Sequence, residues 1–265
     1  MLKTRLCELL GLDVPIILAP LGTCTSAELA AAVSNEGGLG GIGSLFRPTA
    51  AVKRDIDVVE TLTNRAFAIN HIPQCLDEQA FRYTLEARPG VISFTLGDPG
   101  DLVRQAHAVG ARVMLQVTTV AQAVQAAEQG VDVIIAQGGE SGGYCGEVST
   151  MALVPQVVDA VSPIPVVASG GIFDGRGIGA ALMLGAVGVN LGTRFVASKE
   201  APGSEEWKQA ILTPIWRIRS RSRFSTISVR CRAPLGSARF CARCGRHFLT
   251  NGAGSARRHA ATATA

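Results

Sequence analysis

Eight short apolar runs recur along the first three-quarters of the chain, each bounded by glycine, proline or polar residues. They occupy 15–20, 39–44, 66–70, 91–96, 112–117, 132–137, 165–169 and 188–193. Each is apolar nearly throughout, the pattern of strands buried on both faces of a parallel sheet. Helical patterns fill the intervals. One spans 26–36, with Ser26 as its N-cap. Two more, 98–110 and 119–130, each end in glycine, and 151–161 and 175–185 complete the alternation. Strands alternating with helices dictate βα units, and eight units predict an α/β chain folded as a TIM (β/α)8 barrel. An open doubly wound sheet is the alternative, because strand count alone does not enforce closure.

Glycine and polar residues concentrate where the later runs end. The sixth run leads into Gln137-Gly138-Gly139-Glu140-Ser141-Gly142-Gly143-Tyr144, the seventh into Ser169-Gly170-Gly171, and the eighth into Gly192-Thr193. Glycine lets backbone approach a flat or phosphorylated ligand closely. Three such turns on successive strands describe one ligand site assembled from several loops. Gly170 and Gly171, with Gly192 and Thr193, match the usual phosphate position of a barrel. Backbone N–H groups there, and the start of a short following helix, suit a dianion. Tight packing or turn geometry is the plainer explanation of the same glycines. Asn70, Gln116 and Gln137 lie at the ends of the third, fifth and sixth runs. Their amides are either ligand contacts or satisfied buried polar groups.

The length of 265 residues suits one barrel, for which about 250 is typical. A hydrophobic content of 47% supplies a large core. No run reaches the roughly 20 apolar residues of a membrane span, and the N-terminus shows no apolar signal core, so the expected location is the cytoplasm. The seven cysteines have no disulfide-framework spacing, and the barrel part shows no metal-ligand cluster. The net charge of +4 hides two segments: 217–265 carries 11 arginines and no lysine, Asp or Glu, which leaves 1–216 at −7. The division expected is a barrel over 1–203 and an atypical arginine-rich tail over 204–265, poorly ordered or frame-shifted. Residues 205–212 can start a helix before Pro214 breaks it. A nucleic-acid-binding arm is one reading of the tail. The preferred one is translation of a GC-rich gene in another frame, since the break is abrupt and no aromatic stacking pattern accompanies the charge. Cys241, Cys244 and His247, with Cys231, look like part of a zinc site, but chance within such a tail is the simpler reading.

Ile17-Leu18-Ala19-Pro20, 28–34, Gly37-Gly38-Leu39-Gly40, 137–146 and 168–195 together resemble the nitronate monooxygenase (2-nitropropane dioxygenase) family, which includes flavin-dependent enoyl-acyl carrier protein reductases. The resemblance runs from Met1 to about Glu200. It implies a barrel binding FMN at the C-terminal strand ends, with a small organic substrate oxidised or reduced above the ring. It places Ala19, Pro20 and Leu21 beside the ring. Asn70, Gln116 and Gln137 then meet its polar edge or ribityl chain. Gly142, Gly143, Ser169, Gly170, Gly171, Gly192 and Thr193 complete the cofactor site.

Two departures follow. Tyr144 stands where the family has a histidine. A phenol, with an ordinary pKa near 10, is a poor base at neutral pH but can donate a hydrogen bond. His71 is a candidate replacement imidazole, its alternative being a loop side chain turned to solvent. Cys24 and Cys145 read as small apolar fillers. The second departure is the tail, which replaces helices that finish the barrel wall in the family. The last helix is therefore in doubt, and an uncovered wall predicts aggregation, oligomerisation or dependence on a partner.

The leading expectation is an FMN-dependent enzyme oxidising an alkyl nitronate with dioxygen. The first alternative is an enoyl-thioester reductase that also binds NAD(P)H. The alternative from another class is a non-flavin phosphate-binding isomerase or aldolase, weakened because no lysine sits at a strand end.

Overall fold

The computed structural model of the protein describes residues 3–213. The arginine-rich stretch and the Cys231, Cys241, Cys244 and His247 group lie outside the described residues. Helix α1 (Arg5–Leu10) precedes eight strands: β1 (Ile16–Leu18), β2 (Gly40–Gly43), β3 (Phe67–His71), β4 (Val91–Phe94), β5 (Arg112–Val117), β6 (Val133–Gln137), β7 (Val166–Ser169) and β8 (Gly188–Leu191). Between them run α2 (Ala27–Asn35), α3 (Thr49–Leu62), α4 (Glu78–Ala87), α5 (Asp101–Ala108), α6 (Val120–Glu128), α7 (Thr150–Val161) and α8 (Gly175–Met183). Two helices follow β8, α9 (Thr193–Val196) and α10 (Glu205–Leu212). All eight predicted runs are strands. Helices α3 and α4 lie outside the five helical patterns read above.

The strands pair in parallel in the order β1-β8-β7-β6-β5-β4-β3-β2. The ring closes through the Ile17–Leu39 bridge, where Leu18 N–H donates to the Leu39 carbonyl and Leu39 N–H to the Ile16 carbonyl, each at 2.9 Å. Closure decides between the two predicted topologies in favour of the barrel. Strand alternation then sorts side chains to two layers. Ile17, Leu39, Ala68, Val91, Met114, Val133, Ile135 and Val167 fill the barrel interior. Ile92, Phe94, Val113, Ile134 and Ala136 point outward and pack under the helices with Leu153, Val154 and Val157 of α7. Each fully buried Val, Leu, Ile or Phe contributes about 1.5–3 kcal/mol.

Local signals set the helix positions. The Ser26 hydroxyl accepts from Leu29 N–H at 3.1 Å and caps α2 as expected. Thr119 and Asp174 cap α6 and α8 in the same way. Helix α2 lies so close to β2 that any side chain at Gly40 would collide with the Ala30 carbonyl. Helix α10 forms as the sequence allowed and docks on the preceding loop. Lys208 is 5% exposed, and its Nζ donates to the Lys199 carbonyl at 3.3 Å and pairs with Glu205 at 3.2 Å. The first described turns beyond residue 203 are therefore packed helix. No described helix is long and apolar enough to cross a membrane.

Candidate active site

The inward-facing position nearest the C-terminal end is polar on six of the eight strands. Asn70 on β3 donates from Nδ2 to Thr95 Oγ1 at 2.6 Å and to Ser93 Oγ at 3.1 Å. Thr95 returns its hydroxyl to Asn70 Oδ1 at 3.0 Å. Gln116 Nε2 on β5 donates to Gln137 Oε1 on β6 at 2.6 Å. Gln137 Nε2 in turn reaches the Gly142 carbonyl at 3.3 Å, tying the β6–α7 loop to the mouth. Ser169 on β7 and Asn190 on β8 are neighbours in register and hydrogen-bonded. These side chains form a polar belt above the apolar interior. A cavity lies within the belt, lined by Pro20, Asn70, Ser93, Gln116 and Asn190 over Ile17, Met114 and Ile135. On the β1–β2 side the wall is apolar chain and backbone, with Pro20 and Gly41 at its edge.

The β7–α8 and β6–α7 loops are stitched together. Gly170 and Gly171 have φ of 111° and 70°, both in the left-handed region that favours glycine. A Cβ on Gly170 would lie 2.8 Å from Thr150 Oγ1 and 3.0 Å from Ser141 N. The Glu140 carboxylate accepts from Thr150 N–H at 2.7 Å and from Thr150 Oγ1 at 2.9 Å. Thr150 Oγ1 also lies 3.0 Å from the Gly170 carbonyl. Gly192 precedes α9, the short helix expected after β8, and Leu21 packs against it. Ala19, whose N–H donates to the Leu191 carbonyl at 2.9 Å, begins the same β1 loop. Gly142 and Gly143 face open space, and Tyr144 beside them is 42% exposed. On the adjacent rim the Arg194 guanidinium lies 5.5 Å above the Phe173 ring.

His71 is neither at the mouth nor in solvent. It is the last residue of β3 and directly follows the inward-facing Asn70, so its ring turns outward beneath α4. Nε2 lies 2.8 Å from Thr84 Oγ1, and the ring meets Phe81 edge-on at 5.2 Å. Because Thr84 already donates to the Ala80 carbonyl, Nε2 carries the proton, and Nδ1 is buried with no partner among the described residues. Burial pushes the imidazole down to about 4, against a smaller opposing pull from Asp77. The two cysteines also differ: Cys24 is buried, as a filler should be, whereas Cys145 is exposed.

Ser93, Thr95, Thr150 and Asn190 also shape the mouth, and Glu140, which in the sequence is one polar residue of the loop after the sixth run, anchors that loop to Thr150. Asn190 was visible as a polar residue inside an apolar run. Ser93 shares that signal, but neither position announces which way it faces.

A closed (β/α)8 barrel with a polar belt and left-handed glycines at its C-terminal mouth belongs to the class of barrel enzymes that work at that face. Residues 3–233 match the family described as NMO, Nitronate monooxygenase. The chain belongs to the nitronate monooxygenase family and is an oxidoreductase. It is 34% identical over 257 residues to a probable nitronate monooxygenase of Staphylococcus aureus (strain Newman), covering 79% of this chain and 72% of that one. Among solved structures it resembles FabK from Thermotoga maritima, with 36% identity and a TM-score of 0.78 over 81% of this chain and 69% of that one. It also resembles nitroalkane oxidase from Streptomyces ansochromogenes, with 27% identity and a TM-score of 0.73 over 79% and 73% of the two chains.

Proposed function

We propose that this protein is an FMN-dependent oxidoreductase that oxidises alkyl nitronates with dioxygen. The observation that carries the reading is the belt of amides and hydroxyls beside Gly170 and Gly171, at the mouth of a barrel of this family. The residues present suit FMN. The left-handed glycines and the start of α9 offer backbone N–H groups to a phosphate. Asn190 Oδ1 is a buried acceptor with no partner among the described residues, and the wall at Ala19, Pro20 and Leu21 is apolar enough for a flat ring. In this assignment Gly170, Gly171, Gly192 and Thr193 hold the phosphate. Asn70, Gln116, Gln137 and Ser169 meet the polar edge and the ribityl chain. Gly142 and Gly143 keep the loop above the mouth free of side chains.

Bound FMN supplies a centre that takes electrons from the substrate and returns them to dioxygen. Overall, two nitronates and one dioxygen yield two carbonyl compounds and two nitrite ions. A nitronate is already deprotonated at carbon, so its oxidation needs no base. That requirement agrees with a mouth from which His71 is turned away. Tyr144 donates a hydrogen bond to the nitronate oxygens, and Arg194 on the rim favours an anionic substrate.

The phenol at Tyr144 favours one second reading. A hydroxyl is a competent proton donor to a developing enolate, which suits an enoyl-thioester reductase using NAD(P)H. The test is the visible absorbance spectrum of the purified protein, followed by nitrite release from an alkyl nitronate under oxygen. Flavin bands with nitrite release support the proposal. Flavin bands with turnover only of NAD(P)H and an enoyl thioester transfer the protein to the second reading. A colourless protein that takes up no added FMN sinks both.

A further inference from the structure

We propose that Glu140 is a positioning residue: its carboxylate closes the neck of the β6–α7 loop and thereby holds Tyr144 over the mouth. The inference rests on the reading above, in which the Tyr144 hydroxyl meets the substrate. Helix α7 starts at Thr150, and its N-cap residue, Ser149, makes no side-chain bond to the helix. A residue ten positions back supplies the cap instead. Glu140 Oε2 accepts from Thr150 N–H at 2.7 Å and from Thr150 Oγ1 at 2.9 Å. A carboxylate suits the positive end of a helix. Coming from the far side of a loop, it shuts that loop as well as finishing the helix.

The anchor at Thr150 is rigid. Thr150 is 8% exposed. It packs so tightly on Gly138 that a Cβ there would lie 2.2 Å from Thr150 Oγ1 and 2.3 Å from its N. The hydroxyl also lies 3.0 Å from the Gly170 carbonyl and 3.3 Å from that of Ser169. It has one proton to give, and a carboxylate is a stronger acceptor than a carbonyl, so the proton goes to Glu140. Beside this contact, Gly139 N–H donates to the Val148 carbonyl at 2.8 Å. The two contacts together form the neck.

Past the neck, the backbone around Tyr144 has little stiffness of its own. Gly142 and Gly143 precede it and Gly146 follows soon after. A Cβ at Gly142 or Gly143 would meet nothing within 4 Å, and Gly143 has φ of 74°. Glycine has the most conformational freedom to lose. The contacts of Gln137 Nε2 with the Gly142 carbonyl at 3.3 Å and of Cys145 Sγ with the Gly139 carbonyl at 3.7 Å are long ones. With the neck open, only a fraction of loop arrangements presents the phenol to the substrate, and apparent affinity falls by that fraction. Glu140 therefore acts on KM rather than kcat, and it acts through Tyr144.

A double-mutant cycle on the FMN-loaded protein tests this. Glu140→Ala should raise KM for an alkyl nitronate about fivefold, the worth of a lost cap, with kcat and FMN affinity each within about twofold of wild type. Glu140→Gln keeps an oxygen that can accept both bonds and should return KM to within about twofold. In the Tyr144→Phe background, Glu140→Ala should change kcat/KM by less than about twofold, because the hydroxyl it positions is gone. Thr150→Val keeps the N–H and loses the hydroxyl. It should raise KM about threefold with the same dependence on Tyr144, and it carries the cycle if Glu140→Ala does not fold. If the wild type turns over only NAD(P)H with an enoyl thioester, the cycle is read as kcat/KM on that pair. Losses that add in the double variant, FMN affinity falling in step with KM, or no loss in the single variants overturn the inference while the flavin reading stands. A wild type that binds no FMN, or turns over neither pair, overturns the reading beneath the inference and the inference with it.

Discussion

At the N-terminal end of the barrel, α1 presses Leu6 and Leu10 against the interior, and Thr4 Oγ1 donates to the Val187 carbonyl at 2.6 Å. At the other end the same strands finish in Asn70, Ser93, Gln116, Gln137, Ser169 and Asn190. The inward-facing side chains differ because the two ends have different neighbours. Below, a helix covers the barrel, and only apolar groups can be buried there without leaving polar atoms unpaired. Above, among the described residues, the belt side chains pair with one another and leave the buried Asn190 Oδ1 without a partner. The lower end holds the fold together, and the upper end is the face where we propose that the ligand binds.

The contrast predicts that damage to one end should leave the other intact. Leu6→Ala removes a fully buried side chain from the lower end and should cost about 3 kcal/mol. Denaturant unfolding measures the loss, and FMN affinity of the folded fraction should stay within about twofold. A parallel collapse of affinity would show that the two ends are coupled.

The outward face of the upper end answers to pH. His71 has its folded value depressed from 6.5 to about 4. Above pH 6.5 it is neutral in both states and adds no pH dependence. As pH falls from 6.5 towards 4 the unfolded chain takes the proton first, so stability is lost across that window and levels off below it. Between pH 7 and pH 4.5 the loss should be about 2–3 kcal/mol. Comparing unfolding of wild type and His71→Phe at both pH values isolates this residue, because the variant lacks that part of the slope. A wild-type slope that survives in the variant would assign acid lability to other groups.

Gly170→Ala tests the upper end itself. The positive φ and the approach of Thr150 Oγ1 should cost about 2 kcal/mol of stability, and displacement of the turn should weaken FMN binding at least about tenfold. Unchanged FMN affinity in this variant would remove the phosphate role from the β7–α8 turn. The smallest effect expected is for Tyr144→Phe. Loss of one hydrogen bond to the substrate should lower kcat/KM for a nitronate about fivefold to tenfold, or about 1 kcal/mol, with FMN affinity unchanged. A hydroxyl that plays no part would leave kcat/KM as it is.

Legibility differed between neighbouring residues. Asn70 and His71 stood together at the end of a run, yet one enters the belt and the other is sealed beneath α4. A strand read as ending at residue 70 leaves His71 in a loop. The strand includes His71, and alternation then turns its ring away from Asn70. Gly170 and Gly171 were readable, because a pair of glycines after an apolar run marks backbone of unusual conformation. Ser93, Thr95 and Asn190 were not selected, because their role depends on partners far away in the chain. The Glu140–Thr150 clip was hidden for the same reason: the loop between them must fold back before the carboxylate reaches the start of α7.

The eight βα repeats, several caps and the glycines at the strand ends are written in local sequence, because they follow from short-range periodicity and from φ values that few other residues adopt. Tertiary structure alone decided that Leu39 meets Ile17 to close the ring, that His71 turns outward, and that Ser169 orients the amide of Asn190. Each of those outcomes depends on groups brought together from distant points in the chain, where packing and the count of donors and acceptors set the arrangement.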